Sequence, residues 1–353
     1  MRFVLLLLTL CSVVSIQAQD YMWKLGLDYF FDNREYEKSS YIEPQTLNGI
    51  WFSPSGGVTW DSSHTIVAGV DLLKIPGMKK AIDKVDLTLF YQYDSPNTIF
   101  RAGSFPRRDA LSNYSDFFFN DSVKYFIPLM QGLFWQIGKG DNFFNAWMDW
   151  TGYATPENRE SFFIGFSGKA AKGIFFSDFQ SYLFHYAGTN PGNPVYGVSE
   201  QMQGMASIGV ELESANGLNG LLSAGVFAGI ERDRKADIVH KPVGFISRAN
   251  LEFWGIGTEN TLYTGDPRMR FYNQYGGDLY WGTPFLQGTS YLQSKFYIRF
   301  METDRIKIRL NGNLHLTEGN LLFQQTLTLS ASIDNFTKTS SKGAVYPWMR
   351  IFQ

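Results

Sequence analysis

The chain has 353 residues, of which 17% are aromatic and 18% charged, with a formal net charge of −2. That near-neutral balance gives no electrostatic ground for a nucleic-acid partner, and beyond the N-terminus no apolar run reaches the roughly 18 residues of a membrane helix. With a mean hydropathy of −0.17, the many aromatics must be dispersed among polar residues, as in strands with one greasy face.

Met1-Arg2-Phe3 carries one positive charge, Val4 to Val14 is a short apolar stretch, and Ala18 places a small residue at a cut site. Residues 1-18 therefore read as a cleaved secretory signal peptide and 19-353 as one domain. The only cysteine is Cys11, preceded by Leu10 where lipidation of a leader would want a small residue. The mature chain then lacks cysteine, which excludes disulfides and thiolate chemistry.

Strand signals begin at once. Trp23, Leu25, Leu27, Tyr29 and Phe31 share one face, aromatic at the ends and aliphatic between, with Lys24, Gly26 and Asp28 on the other. After a polar loop (Asp32 to Gln45) and less regular strand material (Leu47 to Trp60), Ile66 to Leu72 and Val85 to Tyr93 alternate in the same way, and Asp94-Ser95-Pro96-Asn97 is turn chemistry. Asn97 to Phe105 is the next strand. Pro106 to Pro128 is a long interruption, after which strands are predicted near 129–138, 143–150, 161–168, 174–186, 202–212, 218–230 and 245–254.

The clearest alternation lies from Tyr291 to Ile333. In Arg305 to Leu316 the apolar residues Ile306, Ile308, Leu310, Leu314 and Leu316 alternate with Lys307, Arg309, Asn311, Asn313 and His315. The following strand repeats the pattern, with Gln325 as its exception. Each of these strands is close to the ~11 residues that a tilted membrane-spanning strand uses. Leu262 to Pro267 and Leu279 to Pro284 share an L-Y-x-G-x-P pattern, so this region is either one further up-and-down excursion or a single long loop. Ala344 to Phe352 reads as a closing strand. An even strand number then gives a transmembrane antiparallel β-barrel of about 18 strands, or 16 if the excursion is a loop.

Short links alternate with longer polar ones, and aromatic residues end an aliphatic outer band. On these features the mature chain resembles a Gram-negative outer-membrane β-barrel of the porin type, by architecture and without a family-specific motif. The resemblance implies an outer-membrane location, contact with outer-membrane lipid, and passive diffusion of small hydrophilic solutes. Its alternatives are export of polysaccharide, with glycans as the partner, and a closed barrel acting as an adhesin or structural protein.

Placing the polar face in the lumen makes Arg248, Lys295, Arg299, Lys307 and Arg309 pore-lining bases, and Asp71, Asp86, Asp149 and Asp178 pore-lining acids. The two sets are expected to oppose each other across the lumen and create a transverse field. The Pro106 to Pro128 segment is either an external loop or a constriction loop folded into the lumen with Arg107, Arg108 and Asp109 near the eyelet, and its Phe117-Phe118-Phe119 run favours packing against something; Trp147 offers a surface on which sugars could stack. His64, His185, His240 and His315 are dispersed and no G-x-S-x-G or H-E-x-x-H occurs, so neither an enzyme nor a metal or cofactor site is expected. His185 and Asp178 lie on opposite faces of one strand and make no dyad.

Overall fold

The computed structural model describes residues 19–189, 197–214, 217–336 and 346. The strands β1 (Gln19–Glu35), β2 (Gln45–Trp60), β3 (His64–Lys74), β4 (Lys84–Asp94), β5 (Thr98–Pro106), β6 (Leu129–Lys139), β7 (Asn142–Gly152), β8 (Ser161–Lys172) and β9 (Phe175–Tyr186) form the first half of one antiparallel sheet. The second half consists of β10 (Ser199–Glu213), β11 (Leu218–Asp233), the three-residue β12 (Ile238–His240), β13 (Val243–Phe253), β14 (Ile256–Gly265), β15 (Ser290–Glu302), β16 (Ile306–Thr317) and β17 (Asn320–Asp334). Because β1 pairs with β17 as well as β2, the sheet closes on itself. β12 only extends β11 above the wall, so the result is a closed 16-strand barrel with one extra strand.

The smaller of the two expected strand numbers is therefore the one realised. The second L-Y-x-G-x-P segment makes no hairpin: Leu279 and Tyr280 are fully buried inside the barrel, in a single loop, 266–289, that runs from β14 to β15. The closing strand expected at Ala344 to Phe352 lies outside the described residues apart from Tyr346, and closure is made by β17.

The walls follow the period of two. On β1, Tyr21, Trp23, Leu25 and Leu27 point outward and are exposed, while Asp32 and Arg34 point inward and are buried. The outward apolar band continues around the sheet, reaching 71% exposure at Ile208. An apolar girdle outside and polar groups inside suit a membrane barrel, whose closure leaves no unpaired edge in lipid. Turns are sided too. Links 61–63, 95–97, 140–141, 173–174, 254–255 and 303–305 are short and lie at one end; loops such as 107–128 and 266–289 lie at the other. Trp254 and Gly255 both take positive φ, of 51° and 78°, as a two-residue hairpin turn requires.

The core lies inside the barrel. Loops 107–128 and 266–289 fold into the lumen and bond to each other, Asn120 N–H to Trp281 O at 2.8 Å and Thr283 N–H to Asp116 O at 3.0 Å. The Phe117-Phe118-Phe119 run is buried to at least 97%, against inward aromatics of the wall such as Phe163, Tyr182 and Phe227. Fully burying three phenylalanines contributes on the order of 1.5–3 kcal/mol each, which is why this aromatic loop enters the lumen.

Candidate functional site

The inward charges are paired with near neighbours. Arg248 reaches Asp178 at 2.7 and 2.9 Å, Arg299 reaches Glu252 at 3.0 Å, Arg309 reaches Glu259 at 2.9 Å and Lys307 reaches Glu302 at 3.3 Å. Lys295 pairs with Asp116 of the inward loop. Asp86 pairs with Lys84 at 2.8 Å, and Asp71, its cross-strand neighbour, accepts from Thr88 at 2.6 Å. The expected transverse field is thus corrected: Asp178 and Arg248 lie side by side, because Ser207 and Ser223 in the intervening strands leave room for the arginine to cross. In a poorly solvated interior, a counter-charge within reach outweighs a distant one.

Arg107 and Asp149 form a buried pair at 2.6 Å, with further Arg107 donors on the carbonyls of Ile127 and Leu129. This pins loop 107–128 to the wall. Arg108 pairs with Asp28 at 2.7 Å, and Arg108 and Asp109 line a cavity of about 1070 Å³ that runs from the short-turn rim to the loop. Trp147 is no sugar platform: it is buried and its indole N–H donates to Tyr114 at 2.9 Å, beneath the loop. Two further cavities, of about 530 and 1280 Å³, lie on the long-loop side of the two inward loops.

Two histidines have carboxylate networks. His315 is enclosed: Gln324 donates to Asp32 at 2.7 Å, which turns its amide oxygen toward His315 Nε2 at 3.0 Å, while Tyr291 O–H meets Nδ1 at 2.7 Å. Both ring nitrogens are thus occupied and the residue is 3% exposed. Below it, burial alone would raise the Asp116 carboxyl, but Lys124 and Lys295 hold it far under the usual carboxylate range. This cluster fastens the loop to β15, β16 and β17 and leaves no free imidazole nitrogen for chemistry.

His185 differs. It points outward at the long-loop end of β9, its ring stacked on Phe162 at 4.9 Å, and Phe162 in turn stacks on Trp150 at 5.1 Å. Its cross-strand partner on β10 is Glu200, whose carboxylate lies 3.4 Å from His185 Nδ1. Arg234, just beyond β11, clamps Glu200 through both nitrogens of its fork. His185 Nε2 has no partner among the described residues. A His-Glu-Arg group therefore sits where the outer aromatic band gives way to the polar rim. A carboxylate on one ring nitrogen and an open second nitrogen is the geometry of an oriented general base. No group of metal-ligating side chains occurs among the described residues.

The barrel has solved structural likenesses. OpdL of Pseudomonas aeruginosa superposes with a TM-score of 0.54 at 10% identity, covering 90% of this chain and 99% of that one. The outer membrane protein OprD of the same organism gives 0.52 at 8% identity, over 90% and 95%. At such identities these establish a porin-like outer-membrane barrel fold. No curated protein matches the sequence. The family described as Lipid A 3'-O-deacylase-type matches residues 16–339. That is an enzyme family, which overturns the expectation of a chain without catalytic activity; hydrolase motifs such as G-x-S-x-G are contiguous in sequence, whereas a barrel assembles side chains across strands. With the match spanning nearly the whole described chain, this 16-strand barrel belongs to the lipid A 3'-O-deacylase-type family.

Proposed function

We propose that the protein is an outer-membrane hydrolase that removes an ester-linked acyl chain from lipid A, with His185 as general base. The observation that carries this is an oriented imidazole facing the lipid at the rim of a barrel of this family. The acyl esters of a glycolipid lie where sugars meet hydrocarbon, which is the level of the Trp150-Phe162-His185 shelf. Water attacks the ester carbonyl and its proton passes to His185 Nε2. Collapse of the tetrahedral intermediate releases the fatty acid, and His185 returns the proton to the departing sugar oxygen. Glu200 holds the ring and stabilises the imidazolium, and Arg234 positions Glu200. In this reading residues 1-18 are a removed signal peptide and the long loops face outward from the cell.

The test is to incubate purified protein in detergent with lipid A and follow the loss of one acyl group by mass spectrometry. Removing a general base costs about 10²–10⁴ in rate, so His185→Gln should lose that much and Glu200→Gln a large part of it. Full activity of His185→Gln would move the site elsewhere, and an inactive folded wild type would remove the reading.

A second reading, passive diffusion of small hydrophilic solutes, is favoured by the porin-like fold. Lys307 and Arg309 would then line the passage, and reversing their charge should lower anion preference in planar-bilayer recordings. Silence from wild-type barrels in that assay would count against it.

A further inference from the structure

The cavity at the short-turn end has a cause in the sequence. Along β1, β2 and β3 the inward positions Gly26, Ser53, Ser55 and Gly69 are small and adjacent in register, while the opposite walls carry large aromatics that fill the lumen with the loops. About 1070 Å³ is left, closed at the inner end by loop 107–128. Its inner end is apolar: Phe30 stacks on Tyr125 at 4.3 Å, and Trp51 and Phe90 line the same space. This matches the size and lining of small-molecule sites, which combine apolar walls with a few converging polar groups.

Both signs of charge are available there. Arg108 is 56% exposed although it lies inside the barrel; only its Nη1 is engaged, by Asp28 at 2.7 Å, and Nε and Nη2 have no partner among the described residues. The exposed Asp109 carboxylate is unbonded among the described residues, and Asp71 uses one oxygen on Thr88, leaving the other open. All three residues line the cavity. A guest with a carboxylate alone would meet the two acids, and one with only an ammonium would meet the arginine.

From this arrangement we infer that the vestibule is a binding site for small zwitterions with an apolar body, of the amino-acid or short-peptide class, entering from the short-turn end. The carboxylate takes the free edge of Arg108, the ammonium takes Asp71 and Asp109, and the apolar body lies on Trp51, Phe30 and Tyr125. The site is separate from the rim histidine and does not depend on the deacylase reading.

The test is calorimetric titration of the folded full-length barrel in detergent with phenylalanyl-phenylalanine, its N-acetyl form and its C-terminal amide. The zwitterion should bind, and each capped form should bind at least about tenfold more weakly, since each leaves a charged group without its partner. Arg108→Gln should abolish the difference between free and amidated peptide. Gly26→Trp should abolish binding by filling the space; a β-carbon at Gly26 meets nothing closer than Ser53 at 3.5 Å, and heat-dependent gel migration reports that the variant barrel is folded. Equal binding of all three peptides, no binding of any to folded wild type, or binding that survives Gly26→Trp would each overturn the inference.

Discussion

Replacing Arg107 by leucine should release loop 107–128 from the wall while leaving the barrel closed. Arg107 is 4% and Asp149 1% exposed, so the pair is shielded from solvent. Without the guanidinium, Asp149 keeps, among the described residues, only the Gln131 N–H at 2.8 Å, and Ile127 O and Leu129 O lose a donor. Breaking a buried pair by deleting one partner costs about 3–5 kcal/mol, roughly a hundredfold to a few thousandfold in the docked-to-undocked ratio. Native-state hydrogen exchange reads this directly: amides of 107–128 should lose protection by that factor, while strand amides far from the loop keep theirs. The double variant Arg107→Leu/Asp149→Asn removes the stranded charge and should recover a large part of the loss. If single and double variants exchange alike, or neither differs from wild type, the ion pair is not what holds the loop.

Phe118→Ala should lower stability by about 3–5 kcal/mol, the range for truncating a buried phenylalanine, measurable as an earlier denaturation midpoint with an unchanged slope. Val226, outward and exposed in the middle of β11, tests the membrane face: Val226→Arg should cost about 2–4 kcal/mol for folding into lipid vesicles, and an unchanged folding equilibrium there would contradict the outer-band assignment. The Asp116 ion pairs set a pH window. A carboxyl held below its unfolded value of about 3.9 stabilises the docked loop fully above that pH and loses its contribution as pH falls through the depressed value. Pepsin should therefore leave the loop intact at pH 4 and cut it only in stronger acid; cleavage already at pH 4 would show that Lys124 and Lys295 do not hold it.

The walls of this barrel were legible because each strand carries its own evidence: Arg305 to Leu316 declares its two faces without reference to any neighbour. What depends on neighbours was not. Asp178 shares a strand with His185 but lies on the other face, while the carboxylate partner of His185, Glu200, stands on the next strand across a loop. The basic residues find Glu252 and Glu259 as partners only when the register from β13 through β16 is known. Leu279 to Trp281 offered the same apolar composition to a strand or to a buried loop, and only a lumen with space left in it decides between them. The Phe117-Phe118-Phe119 run did signal a need for cover, without saying by what.

Closure of the sheet through β1 and β17 governs how the molecule comes into being. The bond from Trp23 N–H to the Asn335 side chain joins residues 312 apart. Loop closure over such a separation carries an entropic cost that grows with the logarithm of length, and contacts this distant in sequence form slowly. Until the final strand arrives, both the first and the fifteenth wall strands expose unpaired backbone, which hydrocarbon cannot satisfy. A nascent chain must therefore be sheltered until its last wall strand is available, and a truncation removing part of β17 would abolish the assembled barrel instead of weakening it by degrees.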